Sequence, residues 1–235
     1  MSTMATNDEI RSEVKRILRE QWTTRTGYVV PEPTDLRLTA NDGVELDAAV
    51  MYADIIGSSD LVRARSATRA AEVYKTFLYS AGEIIRRYDG VITAYDGDRV
   101  MAIFIGSEKC TKAMRCALAL NWVVKEIINK EDAATYPKTP YLLRHAVGID
   151  MSKVLAARSG VWGNNDIVWV GNAANFAAKM SALRTYTGPS FVTQSVYDGS
   201  HESVRLSSTG EKMWSYIDWP DQTNRIIQST WFWKP

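Results

Sequence analysis

The dipeptide Asp96-Gly97 lies between two β-rich runs, residues 91–95 and 99–105, and it constrains the fold more than any other local feature. Asp-Gly in this setting is a strong hairpin signal, because a tight two-residue turn needs residues that tolerate positive φ angles. The sequence therefore predicts two antiparallel strands joined at this turn.

Strand, loop and helix patterns alternate on both sides of the predicted hairpin. The predicted elements are a strand at 44–53, a loop at 54–59, a helix to about 87, a helix at about 107–129, strands at 142–149, 154–158 and 166–170, a helix at 172–184, and short strands near 191–193 and in the Trp-rich C terminus. This order predicts an α+β domain with a ferredoxin-like β-α-β-β-α-β core, extra strands, and helices packed on one sheet.

The first 43 residues have a different character from the rest of the chain. Residues 7–22 place apolar side chains along one stripe, which predicts an amphipathic N-terminal helix that must dock on something. Residues 23–42 contain two prolines and no periodicity, which predicts an extended arm. We therefore predict a helix and arm over 1–43 and one globular domain, large enough for one substantial core, over 44–235.

Composition excludes several classes of function. The net charge is +1, so the strongly basic surface typical of a nucleic-acid-binding protein is missing. No apolar run long enough to span a bilayer appears, and the N terminus is not that of a signal peptide, which favours a cytoplasmic protein. Cys110 and Cys116 are expected to be buried thiols, and His145 and His201 to have structural roles, since neither histidine has a second ligand at metal-binding spacing.

Asp54 and Asp98 are candidate metal ligands. Asp54 follows a predicted strand and Asp98 begins the second hairpin strand, so pairing of these strands would bring the carboxylates together. Carboxylates bind hard cations such as Mg²⁺, and two metal ions can activate an attacking oxygen while stabilising the leaving one. Ordinary turn and capping chemistry is the alternative for both residues.

The loop formed by Ile55, Ile56, Gly57, Ser58 and Ser59 is a candidate phosphate site. It leads into a predicted helix, so its backbone N–H groups can bind phosphate, and Gly57 permits close approach. The alternative is a simple helix cap made by one of the two serines.

Asn175 and Lys179 are candidate substrate contacts on the later helix. They are four residues apart and therefore share one face, which the neighbouring alanines leave uncrowded. An Asn can orient a ribose oxygen, and a cation can stabilise negative charge on a pentacoordinate phosphorus. A solvated polar face is the alternative.

Three blocks in this order resemble the class III adenylate/guanylate cyclase family: YADIIGSS at 52–59, GDRVMAIF at 97–104 and VGNAANFAAKM at 170–180. The resemblance covers about residues 44–200. It implies a class III cyclase core that closes a nucleoside triphosphate into a 3′,5′-cyclic monophosphate. It also implies that Asp54, Asp98 and the Ile55 carbonyl hold two divalent ions, Mg²⁺ or Mn²⁺, that the loop through Ser59 receives the phosphates, and that Asn175 orients the ribose.

Further site features follow from the same resemblance. Lys179 occupies the position of the family's transition-state Arg but lacks its bidentate fork. The family's C-terminal phosphate-binding Lys has no clear counterpart, and Lys212 is the nearest candidate. In the family, each active site combines the metal ligands of one subunit with the Asn/cation helix of another, which implies a head-to-tail homodimer with composite sites.

The base-reading positions depart from the adenylate cyclase pattern. Ala94 and Val168 replace the usual Lys and Asp or Thr, and neither can read a purine edge. With AYDGD at 94–98, the chain resembles the pyrimidine cyclases of bacterial anti-phage signalling systems. Tyr52 and Tyr95 are candidate base contacts, because they lie close in sequence to the metal ligands. We expect UTP as substrate and a separate cyclic-nucleotide-binding effector as the sensor of cyclic UMP.

Several alternatives stay open at this point. They are a cytidylate cyclase, an adenylate cyclase that reads its base through other residues, and a catalytically inactive cyclase-like module that binds nucleotide or a partner. The intact Asp54, Asp98 and Asn175 argue against the inactive module. A diguanylate cyclase would need a Gly-Gly-Asp/Glu-Glu-Phe signature in the hairpin, which residues 95–99 do not provide.

Overall fold

The computed structural model describes residues 5–184, 188–219 and 225–235. Helices and strands alternate in a mixed α+β order, which confirms the predicted fold class. The elements are α1 (Asn7–Arg19), β1 (Thr23–Thr26), β2 (Asp42–Ile55), α2 (Ser58–Ala64), α3 (Ala67–Arg87), β3 (Val91–Asp96), β4 (Arg99–Ile105), α4 (Lys109–Val123), α5 (Asn129–Thr135), β5 (His145–Val161), β6 (Asn164–Val170), α6 (Asn172–Ser181), β7 (Ser190–Thr193), α7 (Gln194–Asp198), β8 (Ser215–Ile217) and β9 (Ile226–Ser229).

Contacts between Cα atoms group the chain into two units, residues 47–153 with 171–235 and residues 1–46 with 154–170. In the larger unit the strand order is β3-β4-β2-β5-β7-β9-β8. The predicted hairpin is confirmed, because β3 and β4 pair antiparallel. Its turn lies one residue later than predicted: Asp96 pairs with Arg99, so Gly97, with a φ of 61°, and Asp98 form the turn. β4 in turn pairs antiparallel with β2, which places the hairpin beside the end of β2.

The core of the larger unit lies between this sheet and the helices that cover it. Phe77 of α3 and Met114 of α4 belong to the same buried cluster as Met51, Ala53 and Val100 of the sheet. Successive side chains of a strand point to opposite faces, so this cluster uses every second residue of β2. The intervening residues are available for other roles.

The smaller unit contains two short strand pairings. β1 runs parallel to the start of β2, and β6 runs antiparallel to the end of β5. The buried carboxylate of Asp42 accepts hydrogen bonds from the Arg25 guanidinium and from the backbone N–H of Arg37, each at 3.1 Å. The predicted extended arm therefore includes a strand.

The predicted N-terminal helix is confirmed, but it ends at Arg19 rather than Trp22. Its apolar stripe stays uncovered in the single chain, where the stripe residues are between 46% and 78% exposed: Ile10, Val14, Ile17 and Leu18. A capping box at Thr6 and Glu9 begins the helix.

Three boundaries differ from the sequence prediction. The strands predicted at 142–149 and 154–158 form one continuous strand, β5. The long helix predicted before residue 87 is divided, because the Ser66 side chain accepts a hydrogen bond from Arg69 N and begins a new helix. The helix predicted at 107–129 passes into a π-helical segment, Val124–Ile128.

Cys110 and Cys116 are free and buried, as predicted. Burial raises the pKa of Cys110 to about 11, so its thiol stays protonated and unreactive. His145 is also buried, and its ring packs 6.0 Å from that of Phe77. In the part of the chain that the structure describes, no helix combines the length and apolar character needed to cross a bilayer.

Candidate active site

The register between β2 and β4 brings the two predicted metal ligands together. Asp54 lies directly opposite Arg99, and Asp98 immediately precedes Arg99 in the hairpin turn. Burial raises the pKa of Asp54 above its ordinary value, and the negative charge of Asp98 raises it further. The two carboxylates are therefore close enough to repel each other.

The donor set fits a hard divalent cation. Among the described residues, Asp98 Oδ2 is buried and has no hydrogen-bond partner. A buried carboxylate oxygen without a partner is costly, and a cation held with the neighbouring Asp54 would remove that cost. No group of three or more His, Cys, Asp or Glu side chains in the described ranges could hold a metal by itself. The remaining ligands would have to be backbone carbonyls, water or substrate phosphates, as is usual for Mg²⁺.

The loop after Asp54 leaves its backbone accessible at Gly57, where the chain turns into α2. Gly57 has a φ of 80° and takes the N-cap position of α2, and no side chain caps this helix. The serine caps considered as an alternative do not form; Ser58 and Ser59 lie inside the helix instead. A Cβ atom at Gly57 would meet nothing within 4 Å in the described structure, so a ligand can approach the backbone there.

Asn175 and Lys179 lie exposed on one face of α6, as their spacing predicts. Helix α6 packs against β5 at Gly148, where a Cβ atom would overlap the carbonyl oxygen of Ala177. The Lys179 ammonium lies 5.6 Å from the centre of the Phe176 ring. Within the described residues, neither Asn175 nor Lys179 forms a hydrogen bond or ion pair with the two metal-site carboxylates.

The candidate base contacts are divided between the two faces of the sheet. Tyr52 and Ala94 both lie opposite Met101, one on each side of it, so these three side chains share a face. Tyr95 follows Ala94 and points to the other face, where its hydroxyl lies 2.9 Å from the place a Cβ of Gly82 would take. The structure therefore separates Tyr95 from Tyr52.

Val168 and Lys212 lie elsewhere in the chain. Val168 is on β6 of the smaller unit, opposite Ala157, and its side chain is 43% exposed. Lys212 is an exposed residue that forms an isolated bridge with Leu206 in the larger unit.

Two arginines at the site were missed by the sequence analysis. Arg184 Nη2 donates to Asp54 Oδ2 at 2.8 Å. Arg99 donates to Asp96 at 2.9 Å, and its guanidinium carbon lies 5.2 Å from the centre of the Tyr52 ring. Arg99 is the partner of Asp54 in the ladder between β2 and β4, a pairing that the hairpin signal alone does not determine. Arg184 follows the end of α6, and no sequence spacing signals its contact.

Two uridylate cyclases resemble this chain over nearly its whole length. A uridylate cyclase of Burkholderia cepacia is 42% identical over 231 residues, which cover 98% of this chain and 99% of that protein. A uridylate cyclase of Xanthomonas perforans is 41% identical over 234 residues, with 98% and 99% covered. No protein-family model matches the chain.

Solved structures with the same fold are nucleotide cyclases. A bacterial light-regulated adenylyl cyclase superposes with a TM-score of 0.68 at 21% identity, covering 79% of this chain and 51% of the other. A dimeric guanylyl cyclase domain from the aquatic fungus Blastocladiella emersonii superposes with a TM-score of 0.61 at 13% identity, covering 79% and 97%. At these identities the likeness establishes the fold.

Proposed function

We propose that this chain, which belongs to the uridylate cyclase family and has the class III nucleotide cyclase fold, converts UTP to 3′,5′-cyclic UMP and pyrophosphate. Membership of the family makes it a nucleotide cyclase, a phosphorus–oxygen lyase. The choice of UTP and the roles of individual residues are the proposed part.

One observation carries the mechanism: Asp54 and Asp98 lie side by side at the end of β2, and one oxygen of Asp98 is buried without a partner among the described residues. Asp54, Asp98 and the Ile55 carbonyl would hold two divalent ions, Mg²⁺ or Mn²⁺, which stabilise the charge that develops during attack on the α-phosphate. The carboxylates must be ionised for this role. Burial raises the pKa of Asp54 and thus disfavours its ionised form. A cation at the site would have the opposite effect and favour the ionised carboxylate.

The loop from Ile55 to Ser59 would bind the phosphates. The Ile56 N–H already donates to Arg144 O at 2.8 Å, which fixes the start of the loop. The amides of Gly57, Ser58 and Ser59 have no acceptor within the described residues. Phosphate oxygens can accept hydrogen bonds from such backbone groups without any side chain.

Asn175 and Lys179 would act on the ribose and on the reacting phosphorus. We assign Asn175 to a hydrogen bond with a ribose oxygen, which aligns the attacking hydroxyl. Lys179 supplies a positive charge near the pentacoordinate phosphorus. Both side chains are exposed and, within the described residues, form no hydrogen bond or ion pair with Asp54 or Asp98. We therefore infer that a second copy of the chain supplies them, in a homodimer with composite sites.

The base pocket would select a single-ring base by lacking purine contacts. Ala94 and Val168 cannot pair with the N1 or amino group of adenine, and each polar group buried without a partner costs about 1–3 kcal/mol. Tyr52 shares a face with Ala94 and is our candidate for a base contact, through its ring or its hydroxyl. Tyr95 stays a predicted contact, and it would have to approach from the opposite face.

The physiological role follows from the sequence resemblance to anti-phage pyrimidine cyclases. We propose that cyclic UMP is a second messenger in bacterial antiviral defence, sensed by a separate effector that binds cyclic nucleotides. Cyclic CMP is the second candidate product, because the apolar pair Ala94 and Val168 favours a pyrimidine without separating uracil from cytosine.

The test is a competition among ATP, GTP, CTP and UTP at equal concentrations, with Mg²⁺ or Mn²⁺, followed by mass analysis of the products. We expect cyclic UMP to dominate. A dominant cyclic CMP would change only the choice of pyrimidine. A dominant cyclic AMP would refute the pyrimidine pocket, and absence of every cyclic product would favour the inactive module.

A further inference from the structure

The Arg184 guanidinium joins a proposed metal ligand to the end of α6. Nη2 donates to Asp54 Oδ2 at 2.8 Å, while Nη1 donates to the carbonyl oxygens of Ser181 at 2.7 Å and Leu183 at 3.3 Å. The Asp54 side chain is 14% exposed, so this ion pair is partly shielded from water. Arg184 has no place in the mechanism derived above.

The two carboxylates of the site are therefore unequal. Asp54 is neutralised by Arg184, whereas Asp98 Oδ2 has no partner among the described residues. A divalent ion that binds both carboxylates would place a second positive charge beside this guanidinium. Like charges in a partly buried site repel strongly, so the ion and Arg184 compete for Asp54.

A cavity next to this ion pair offers space into which the displaced guanidinium can move. It has a volume of about 480 Å³, and its lining includes Arg184, Lys125 and Arg144 as well as Ile56 of the phosphate loop. Three cations in one cavity suit an anion with several charges. The planar fork of an arginine binds phosphate oxygens in pairs.

We propose that Arg184 is an exchangeable counter-ion, which pairs with Asp54 before a metal ion binds and transfers to the polyphosphate of the substrate when the metal takes Asp54. This inference rests on the proposed function. Arg184 would thereby weaken metal binding in the absence of nucleotide and strengthen nucleotide binding in the presence of metal. Occupation of the metal site would become coupled to the arrival of substrate.

The two effects have opposite signs, and this distinguishes exchange from a merely structural role. Replacing Arg184 by Gln removes the competing charge, so Mn²⁺ should bind the nucleotide-free protein about tenfold more tightly. The same change removes a charge-assisted contact to phosphate, so 3′-deoxy-UTP, which cannot cyclise, should bind about tenfold more weakly in the presence of Mn²⁺. A substitution that only loosened the site would weaken both.

Mn²⁺ binding can be followed by the electron paramagnetic resonance signal of the free ion, and nucleotide binding by calorimetry. Arg86→Gln is the matched control, since Arg86 forms an exposed ion pair with Glu83 on α3 and the net charge changes equally. Arg184→Lys keeps the charge, so its Mn²⁺ affinity should stay near that of the wild type. Thermal unfolding of each variant checks the fold, and Arg184→Met replaces Arg184→Gln if the latter is unstable.

The outcomes separate this inference from the proposed function. If the wild type binds Mn²⁺ and Asp98→Asn does not, the proposed metal site is supported. Unchanged or weaker Mn²⁺ binding by Arg184→Gln would then overturn the exchange but not the metal site. Unchanged binding of 3′-deoxy-UTP overturns it as well. If the wild type binds no Mn²⁺ with or without nucleotide, both the exchange and the proposed metal site are wrong.

Discussion

The last residues of β2 have opposite environments on the two faces of the sheet. Met51 and Ala53 are fully buried under the helices, whereas Tyr52 and Asp54, which alternate with them, are only partly buried. One strand thus contributes to the hydrophobic core with one set of side chains and to the candidate site with the other. The two sets are never more than one residue apart.

This difference implies that stability and catalysis can be altered separately. Burial of apolar side chains on the helix-covered face supplies most of the favourable free energy of folding. On the other face, Asp54 and Asp98 repel each other, and Asp98 Oδ2 lacks a hydrogen-bond partner among the described residues. We expect substitutions on the helix side to lower stability, and substitutions at the carboxylates to lower activity alone.

The largest expected effect is loss of catalysis in Asp98→Asn. The substitution keeps the shape of the side chain but removes a negative charge that the divalent ions need, so the rate with UTP should fall by more than about 1,000-fold. The free energy of unfolding should change by less than about 1 kcal/mol, because a repulsive pair is relieved. Steady-state rates and urea denaturation measure the two quantities. Wild-type turnover in this variant would contradict the metal assignment.

Phe77→Ala should have the converse effect. Phe77 is fully buried in α3, so truncation should lower the free energy of unfolding by about 3–5 kcal/mol through lost burial and a cavity. Turnover per folded molecule at low temperature should remain close to that of the wild type. Tyr79→Ala is the control on the same helix, since Tyr79 is 72% exposed and its loss should cost less than about 1 kcal/mol. Equal destabilisation by both changes would contradict the division between the two faces.

The fold and the carboxylate pair could be predicted because local signals determine them. The tight turn sets the register of β3 and β4, and the pairing of β4 with β2 then places Asp98 beside the end of β2. The face shared by Asn175 and Lys179 likewise follows from helix geometry.

Other features depend on tertiary context and could not be predicted. β5 continues through the polar residues around Asp150 and Ser152, because pairing in the sheet overrides their weak strand propensity. The Arg184 contact depends on the path of the chain after α6, which no periodicity encodes. The amphipathic pattern of α1 predicts which face is apolar and says nothing about what covers it.

A smaller effect is expected from mixing two inactive variants. Asp54→Ala removes a metal ligand, and Asn175→Ala removes the proposed ribose contact, so each homodimer should be inactive. If a second copy completes each site, half of the randomly formed dimers contain one intact site, and about a quarter of wild-type activity should return. Activity is measured after subunit exchange has been demonstrated with labelled chains. No recovery after exchange would mean that each site is formed within one chain.

The smallest expected effect concerns stability in acid and comes from His145, which packs against Phe77 on the helix-covered face. Burial lowers the pKa of His145 from 6.5 to about 4, so the folded protein holds this ring neutral where the unfolded chain would protonate it. The unfolded state then binds more protons, so the free energy of unfolding falls as the pH drops below about 6.5. Between pH 7.5 and 5.5 this should cost about 1 kcal/mol of unfolding free energy. Asp54 and Asp150, whose pKa values burial raises, act in the opposite direction at lower pH, so the comparison is restricted to pH values above 5.5.

His145→Gln cannot titrate and should flatten the pH dependence of the unfolding free energy measured by urea denaturation, whereas the exposed His201→Gln should leave it unchanged. An equal slope in the wild type and in His145→Gln would show that another group causes the acid sensitivity.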